Sequence, residues 1–169
     1  PFCRTPEAAS DGEITERIKK RVDAGDANAM RNLGRLYHRG GGCVLPVDYN
    51  KAMELLLRAG ELGSSTAYFN IAVSYERGEG VERNMKKAKH YYELAAMEGD
   101  VSARHNLGCM EGNENEGGNM QRAAKHWMIA AGAGHDGSLT NIRQCYLNGH
   151  VTKDDFEKFL RAHKEAKDE

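Results

Sequence analysis

The sequence predicts an all-α fold of about nine helices, arranged as a solenoid of stacked antiparallel helix pairs. Two different segments each recur four times at a spacing of about one helical hairpin, and the alternating β-branched pattern of strands is nearly absent. A single hairpin cannot bury its apolar face, so repetition at this period is typical of proteins in which hairpins stack on each other.

The first recurrent segment marks the first helix of each pair. Its aliphatic centres lie 38, 36 and 35 residues apart, at Leu33, Ile71, Leu107 and Ile142. A small residue stands four positions before each centre, and a tyrosine follows four positions after three of them. These positions share one helical face. We therefore predict helices near 27–38, 65–77, 101–111 and 137–147.

The second recurrent segment opens the second helix of each pair with an Asp or Asn. Asp48, Asn84, Asn119 and Asp155 follow one another at steps of 36, 35 and 36. Such side chains cap helix N-termini by accepting a hydrogen bond from an unpaired backbone N–H. This pattern predicts helices near 48–62, 84–98, 119–133 and 154–167.

Glycine followed by a capping residue separates one pair from the next, as in Gly63-Ser64 and Gly99-Asp100. Glycine provides the left-handed helix end, and Ser or Asp caps the following helix. Gly25-Asp26 has the same form, and Gly134 leads to His135-Asp136. A leading helix is predicted over 11–24, where Ser10 and Glu13 have capping-box spacing.

These elements define the predicted domain organisation. A linker over 1–9 precedes one repeat domain over 10–169. Its units lie near 27–63, 64–99, 100–134 and 135–169, and the last is a capping unit because its final helix departs from the pattern.

Composition excludes several classes of function. The 169 residues carry 24 basic and 25 acidic side chains, so no charge excess supports a nucleic-acid or membrane-surface partner. No apolar run reaches the roughly 18 residues that a transmembrane helix needs. The four cysteines are widely spread and no glycosylation sequon occurs, which favours a cytoplasmic or nuclear setting.

The repeated residues carry a family resemblance. The signature Ala-x-x-Asn-Leu-Gly-x-x-Tyr, the loop Gly78-Glu79-Gly80 and a later Lys-Ala…Ala-Ala-x-x-Gly resemble the Sel1-like repeat (SLR) family, a relative of the tetratricopeptide repeat. The resemblance covers about residues 11–169 and implies a right-handed superhelical scaffold for protein–protein assembly. Glu111 in place of tyrosine, Arg143 in place of glycine and a longer loop at Gly40–Pro46 depart from the pattern.

The first six residues, Pro1-Phe2-Cys3-Arg4-Thr5-Pro6, resemble the end of a RING-type zinc finger. The resemblance implies that Cys3 is the last zinc ligand of a site in a longer parent chain, of which this sequence is an excised piece. The alternative is a simple linker cysteine. A zinc site needs four ligands, so none is expected within these residues.

The inner wall of such a solenoid is the expected binding surface. Arg31, Arg35 and Arg39 form a basic stripe at i, i+4 and i+8, and the tetratricopeptide resemblance implies further wall positions. Those positions are Phe69, Arg77, His105 and Cys109. The arginines either clamp acidic side chains or a C-terminal carboxylate, or form a solvated face paired with nearby Glu.

Four asparagines recur at one register of the first helices: Asn32, Asn70, Asn106 and Asn141. Asparagine is a poor interior helix former, so its recurrence indicates a role set by the repeat. The amides either bond a neighbouring helix or loop, or bond the backbone of an extended peptide.

His105 and Cys109 lie one helical turn apart, a spacing that allows a shared metal or an activated thiolate. The alternative is groove lining or core, because the sequence shows no third ligand and no orienting carboxylate.

These observations predict a non-enzymatic adaptor that binds protein or peptide segments on its concave face, with no cofactor. We expect it to be the recruiting part of a RING-containing, ubiquitin-linked protein. One alternative is a β-lactam-binding or hydrolysing SLR enzyme. The sequence disfavours this alternative, because the second helices of the pairs hold no cysteine that could pair with Cys109 or Cys145. Another is a structural spacer without a ligand in its groove.

Overall fold

The computed structural model describes residues 11–40, 45–113 and 118–168, and within these ranges it contains nine α-helices and no strand. The helices are α1 (Asp11–Asp23), α2 (Ala27–Arg39), α3 (Tyr49–Glu61), α4 (Ser65–Arg77), α5 (Met85–Met97), α6 (Val101–Glu111), α7 (Met120–Gly132), α8 (Asp136–Leu147) and α9 (Lys153–Asp168). The all-α prediction is confirmed, and each helix begins and ends within about one residue of its predicted position. No helix in the described ranges is long and apolar enough to cross a membrane. The predictions for Cys3 and for the Ser10 cap lie outside the described residues, and the division into a linker and a repeat domain stays a prediction.

The chain divides into two compact units, Pro1–Arg83 and Asn84–Glu169. In the first unit each helix packs against the next, from α1 to α4. In the second unit α6 packs against α5 and α7, α7 packs against α8, and α9 lies against both α7 and α8. This pairwise packing is the pattern predicted for stacked hairpins.

Small residues at the helix contacts let neighbouring backbones approach each other. The predicted small positions Ala29, Ala67, Ala103 and Ser138 are all fully buried or nearly so. Gly108 lies directly under the indole of Trp127, and a Cβ at this position would sit 2.5 Å from Trp127 Nε1. The close contact of α6 with α7 therefore depends on the absence of a side chain at residue 108.

The tight turns between pairs share one backbone motif. At Gly63, Gly99 and Gly134 the backbone φ is +87°, +86° and +84°, a conformation that favours glycine. In the first of these turns Gly63 N–H donates to Gly60 O at 2.9 Å, and Ser64 N–H donates to Ala59 O at 3.0 Å. This is a Schellman end, and the residue after the glycine is also the N-cap of the next helix.

The caps agree with the sequence in most places. The side chains of Asp48, Asn84 and Asn119 accept hydrogen bonds from the backbone N–H three residues on, at 3.0, 3.0 and 2.9 Å. Asp26 and Asp100 do the same for α2 and α6.

Three cap predictions need correction. Ser64 occupies the N-cap of α4 but makes no side-chain cap bond. The cap of α8 is His135, whose Nδ1 accepts from Ser138 N–H at 3.1 Å. Asp155 lies inside the first turn of α9, where Thr152 Oγ1 accepts its N–H at 3.2 Å and donates to its carboxylate at 2.8 Å. Helix α9 therefore starts earlier than predicted. The two hydrogen bonds between Thr152 and Asp155 cap its N-terminus without Asp155 at the N-cap position.

Glu111, the residue that replaces the repeat tyrosine, has a structural role of its own. Its side chain is only 13% exposed and bonds Lys89 on α5 at 2.5 Å, with Arg122 on α7 at 3.8 Å. The neighbouring ammonium of Lys89 lowers the pKa of the Glu111 carboxyl. An ion pair therefore links three helices where other repeats place an aromatic ring.

Candidate functional site

A cleft of the first unit has a volume of about 480 Å³ and is lined by residues of α2, α3 and α4. It is lined by Arg35, His38, Arg39, Tyr49, Leu56, Asn70, Val73, Ser74, Arg77 and the loop Gly78–Gly80. Its volume falls within the range of small-ligand sites. Four of the seven sequence-predicted binding residues of this unit line it: Arg35, Arg39, Asn70 and Arg77.

The cleft is basic. Arg35 and Arg39 lie one turn apart on α2, and Arg77 ends α4. Glu79 is the one carboxylate of the lining, and it pairs with Arg77 at 3.5 Å. Within the ranges that the structure describes, neither Arg35 nor Arg39 has an ion-pair partner, and both side chains are exposed.

A short hydrogen-bond chain fixes the imidazole of His38. Ser74 donates its hydroxyl proton to the carbonyl oxygen of Asn70 at 3.1 Å. Its oxygen is then left to accept from His38 Nε2, which lies 3.3 Å away. Because a hydroxyl has only one proton to donate, His38 carries its hydrogen on Nε2. The ring is also packed edge-on against Tyr49, with centroids 5.3 Å apart.

The glycine loop closes one side of the cleft. Gly78 and Gly80 both have φ of +73°, and a Cβ at residue 80 would overlap the ring of Tyr49. Arg83 Nε donates to Glu76 O at 2.9 Å and ties the far side of the loop back to α4. The Gly-x-Gly motif of the sequence thus lets the backbone lie flat against an aromatic side chain.

The structure brings together only part of the predicted basic stripe. Arg31 does not line the cleft, and its guanidinium instead donates to Asn32 Oδ1 at 3.3 Å. Successive i, i+4 positions rotate by about 40° around a helix, which moves Arg31 away from the face that holds Arg39. Phe69 also lies outside the lining and is half-buried.

A second cluster forms in the second unit, where α6 meets α8. His105 Nδ1 lies 2.8 Å from Ser138 Oγ, and its Nε2 lies 3.5 Å from Cys109 Sγ. Asn141 Nδ2 donates to Cys109 Sγ at 3.9 Å. His105 stacks on His135 with ring centroids 4.4 Å apart. Three of the predicted binding residues therefore contact one another, whereas Asn106 is not part of this network.

The hydrogen-bond directions in this cluster follow from His135. Its Nδ1 accepts from Ser138 N–H, so it carries no proton, and the Ser138 hydroxyl at 3.2 Å donates to it. Ser138 Oγ then accepts from His105 Nδ1–H, which leaves His105 Nε2 as a base facing the exposed Cys109 thiol. Burial, and then the electrostatic interaction with His135, lower the pKa of His105 and favour its neutral form. In the described ranges, no three His, Cys, Asp or Glu side chains converge as metal ligands.

Sequence reasoning missed several residues of both sites: His38, Tyr49 and Ser74 in the cleft, and His135 in the cluster. Ser74 carried a usable signal, because the equivalent first-helix positions hold Leu36, Met110 and Cys145. A polar residue at this otherwise apolar register indicates a hydrogen-bonded partner. Tyr49 gave no such signal, since its place in the cleft is defined by its contacts with His38 on α2 and with Gly80.

Comparisons with known proteins agree with the repeat structure. The family model described as Sel1 repeat matches residues 27–64, 65–100 and 101–135. The chitin synthase regulator SKT5 of Saccharomyces cerevisiae is 36% identical over 88 residues, which are 52% of this chain and 13% of that protein. The DAP3-binding cell death enhancer 1 of Mus musculus is 30% identical over 107 residues, 62% of this chain and 20% of that protein. The chain therefore spans a small part of the length of these relatives.

Solved structures support the same fold. A Sel1 repeat protein from Oxalobacter formigenes superposes with a TM-score of 0.76 at 22% identity, covering 92% of this chain and 64% of that one. The protective antigen c5321 of uropathogenic Escherichia coli, which displays an SLR fold, gives a TM-score of 0.75 at 28% identity, covering 89% of this chain and 33% of that one. The predicted fold class, an α-solenoid of helix pairs, is confirmed, and the chain belongs to the Sel1 repeat family.

Proposed function

We propose that this chain is a protein-binding adaptor module that holds an acidic protein segment in the cleft of its first unit. The observation that carries the proposal is the convergence of Arg35, Arg39 and Arg77 on one cavity whose lining holds a single carboxylate. Guanidinium groups bind carboxylates through paired hydrogen bonds, and partial enclosure by protein strengthens such contacts.

The remaining lining fits an extended polypeptide. The side chains of Asn70 and Tyr49 offer hydrogen bonds, and the half-buried Val73 offers apolar contact. The names of the relatives point the same way: one is a regulator of an enzyme and another a binding protein. The predicted acidic or C-terminal segment remains the proposed ligand class.

Binding to arrays of acidic, neutral and basic peptides tests this function. The full chain is expected to bind acidic peptides, and the double variant R35A/R39A to lose that binding. R31A and R58A are matched controls, because each removes one arginine of the same unit that does not line the cleft. Acidic-peptide binding that survives in R35A/R39A, or that is lost equally in R31A, would contradict the proposal. Binding to no peptide at all would favour a structural spacer.

The recruiting role within a longer RING-containing protein is a finer proposal that rests on Pro1–Pro6 alone. The residues that precede Pro1 in the parent chain test it directly. Further cysteine and histidine ligands at zinc-finger spacing would support the role, and a sequence without them would remove it.

A further inference from the structure

The charge of the cleft in the first unit exceeds what a single carboxylate would neutralise. Its lining carries three guanidinium groups and one carboxylate, a balance of two positive charges. Arg77 already shares its charge with Glu79 at 3.5 Å. The surplus therefore resides on Arg35 and Arg39.

These two arginines repel each other in the described structure. They lie at i and i+4 on α2, where like charges destabilise a helix. Within the described part of the chain no acidic side chain offsets them. An anion bound between them relieves this repulsion, so the cleft favours a ligand of two negative charges over one.

The number of acceptor oxygens distinguishes a carboxylate from a phosphate, the two common anionic groups of proteins. A carboxylate has two oxygens, which one bidentate guanidinium engages together, so a second guanidinium reaches only their remaining lone pairs through single hydrogen bonds. A phosphate monoester offers three terminal oxygens and about two negative charges. Two neighbouring guanidiniums can therefore both form paired hydrogen bonds with one phosphate. We infer that the cleft binds a phosphorylated side chain of a partner segment, held between Arg35 and Arg39.

The other lining groups suit the residues on either side of such a group. His38 and Tyr49 form an edge-to-face aromatic pair on one side, and the Gly78–Gly80 backbone packs on Tyr49. This wall positions the phosphate-bearing residue, while Val73 contacts its neighbours. The inference rests on the proposed function and specifies the chemistry of its ligand.

Fluorescence anisotropy with the full chain and three labelled peptide pools tests the inference. The pools share degenerate flanks and differ in one central residue, which is phosphoserine, glutamate or serine. The phosphoserine pool is expected to bind at least about tenfold more tightly than the glutamate pool, because charge-assisted contacts to two arginines replace contacts to one. The serine pool is expected not to bind.

Two variants and a competitor assign the binding to this cleft. R35A/R39A should abolish the preference for phosphoserine, and R35K/R39K, which keeps the charge but lacks the planar fork, should retain only part of it. R31A should behave as the unaltered chain. Circular dichroism of each variant checks that the helices persist. Inorganic phosphate at millimolar concentration should compete only weakly, because it lacks the flanking residues.

The outcomes separate this inference from the adaptor function. Equal binding of the phosphoserine and glutamate pools would overturn the phosphate inference and leave the acidic-segment function standing. Binding of neither pool would overturn both. Inorganic phosphate that binds as tightly as the phosphoserine pool would also overturn the inference, since it would show a site for a free anion.

Discussion

At the scale of single residues, close helix packing in this protein depends on a glycine that has no side chain. Gly108 has room for no side chain, because Trp127 covers it and its indole Nε1 donates to His105 O at 3.2 Å. Gly132, in contrast, has no atom within 4 Å of the position that a Cβ would take. The two glycines therefore provide a matched pair for testing close helix approach.

We predict that Gly108→Ala lowers the free energy of unfolding by about 1–2 kcal/mol, although alanine favours helix, because the indole must move and lose its hydrogen bond. Gly132→Ala should leave that free energy unchanged or raise it by up to about 1 kcal/mol. Urea unfolding followed by tryptophan fluorescence measures both. Equal effects of the two substitutions would show that helix propensity, and not contact with Trp127, decides the outcome.

Burial of His105 predicts a dependence of stability on pH. The folded state lowers the pKa of His105 from 6.5, so the unfolded chain binds a proton more readily. The free energy of unfolding should therefore fall as the pH drops below about 6.5 and level off below the folded-state pKa. His126 adds to the same trend, because burial, and then the charge of Arg104, lower its pKa.

An NMR titration of the imidazole signals and urea unfolding at a series of pH values test this expectation. Half-protonation of His105 should occur below pH 6.5, and His105→Gln should flatten the pH dependence of stability. A midpoint for His105 above 6.5 would refute the expectation.

At the scale of helices, caps and Schellman turns explain most of the helix ends in the described ranges. Asp100 and Ser64 occupy equivalent positions after a glycine turn, yet only Asp100 accepts a backbone hydrogen bond, from Ala103 N–H at 2.8 Å. A residue type that favours caps is therefore not sufficient to form one.

We predict that Asp100→Ala lowers the free energy of unfolding by about 1 kcal/mol, because a backbone N–H of α6 loses its acceptor. Ser64→Ala should cost clearly less, and Asp100→Asn should restore most of the loss. Thermal unfolding of the three variants measures the differences. A cost for Ser64→Ala as large as that for Asp100→Ala would contradict the cap assignment.

At the scale of the whole molecule, the last helix protects the end of the second unit. A buried cluster there includes Trp127, Ile142 and Cys145, and Phe156 of α9 packs against it and stacks on Tyr146 with centroids 4.7 Å apart. His163 is buried with Nδ1 2.9 Å from Ala131 O and Nε2 3.1 Å from Asp136. Helix α9 therefore covers the buried cluster at this end of the second unit.

Removal of residues 153–169 should therefore expose the Cys145 thiol to a disulfide reagent in native buffer. In the complete chain Cys145 should stay unreacted, since it is fully buried and burial raises the pKa of its thiol. A shorter deletion of 164–169 leaves His163 and Phe156 in place and should keep Cys145 protected. Mass spectrometry of the labelled peptides separates Cys145 from the other cysteines. Equal protection in both deletions would mean that α9 does not cover the cluster.

The sequence by itself determined the number, the limits and the pairing of the helices. Apolar periodicity, helix caps and glycine turns each depend on residues that lie close together in the sequence. The fourfold repeat shows each of these patterns four times. Local spacing also placed Arg35 and Arg39 on one helical face and Asn70 at a repeat-defined register, and these residues stay predicted binding residues.

Only the tertiary structure decided which of these residues share a site. Arg31 belongs to the same stripe as Arg39 but faces elsewhere, while Tyr49 and His38 enter the cleft through the contacts of α3 with its neighbours. The Ser74 hydroxyl is hydrogen-bonded to His38, which lies 36 residues away in the sequence. Such contacts depend on helix rotation and on distances across helices, which a local pattern of residues does not encode.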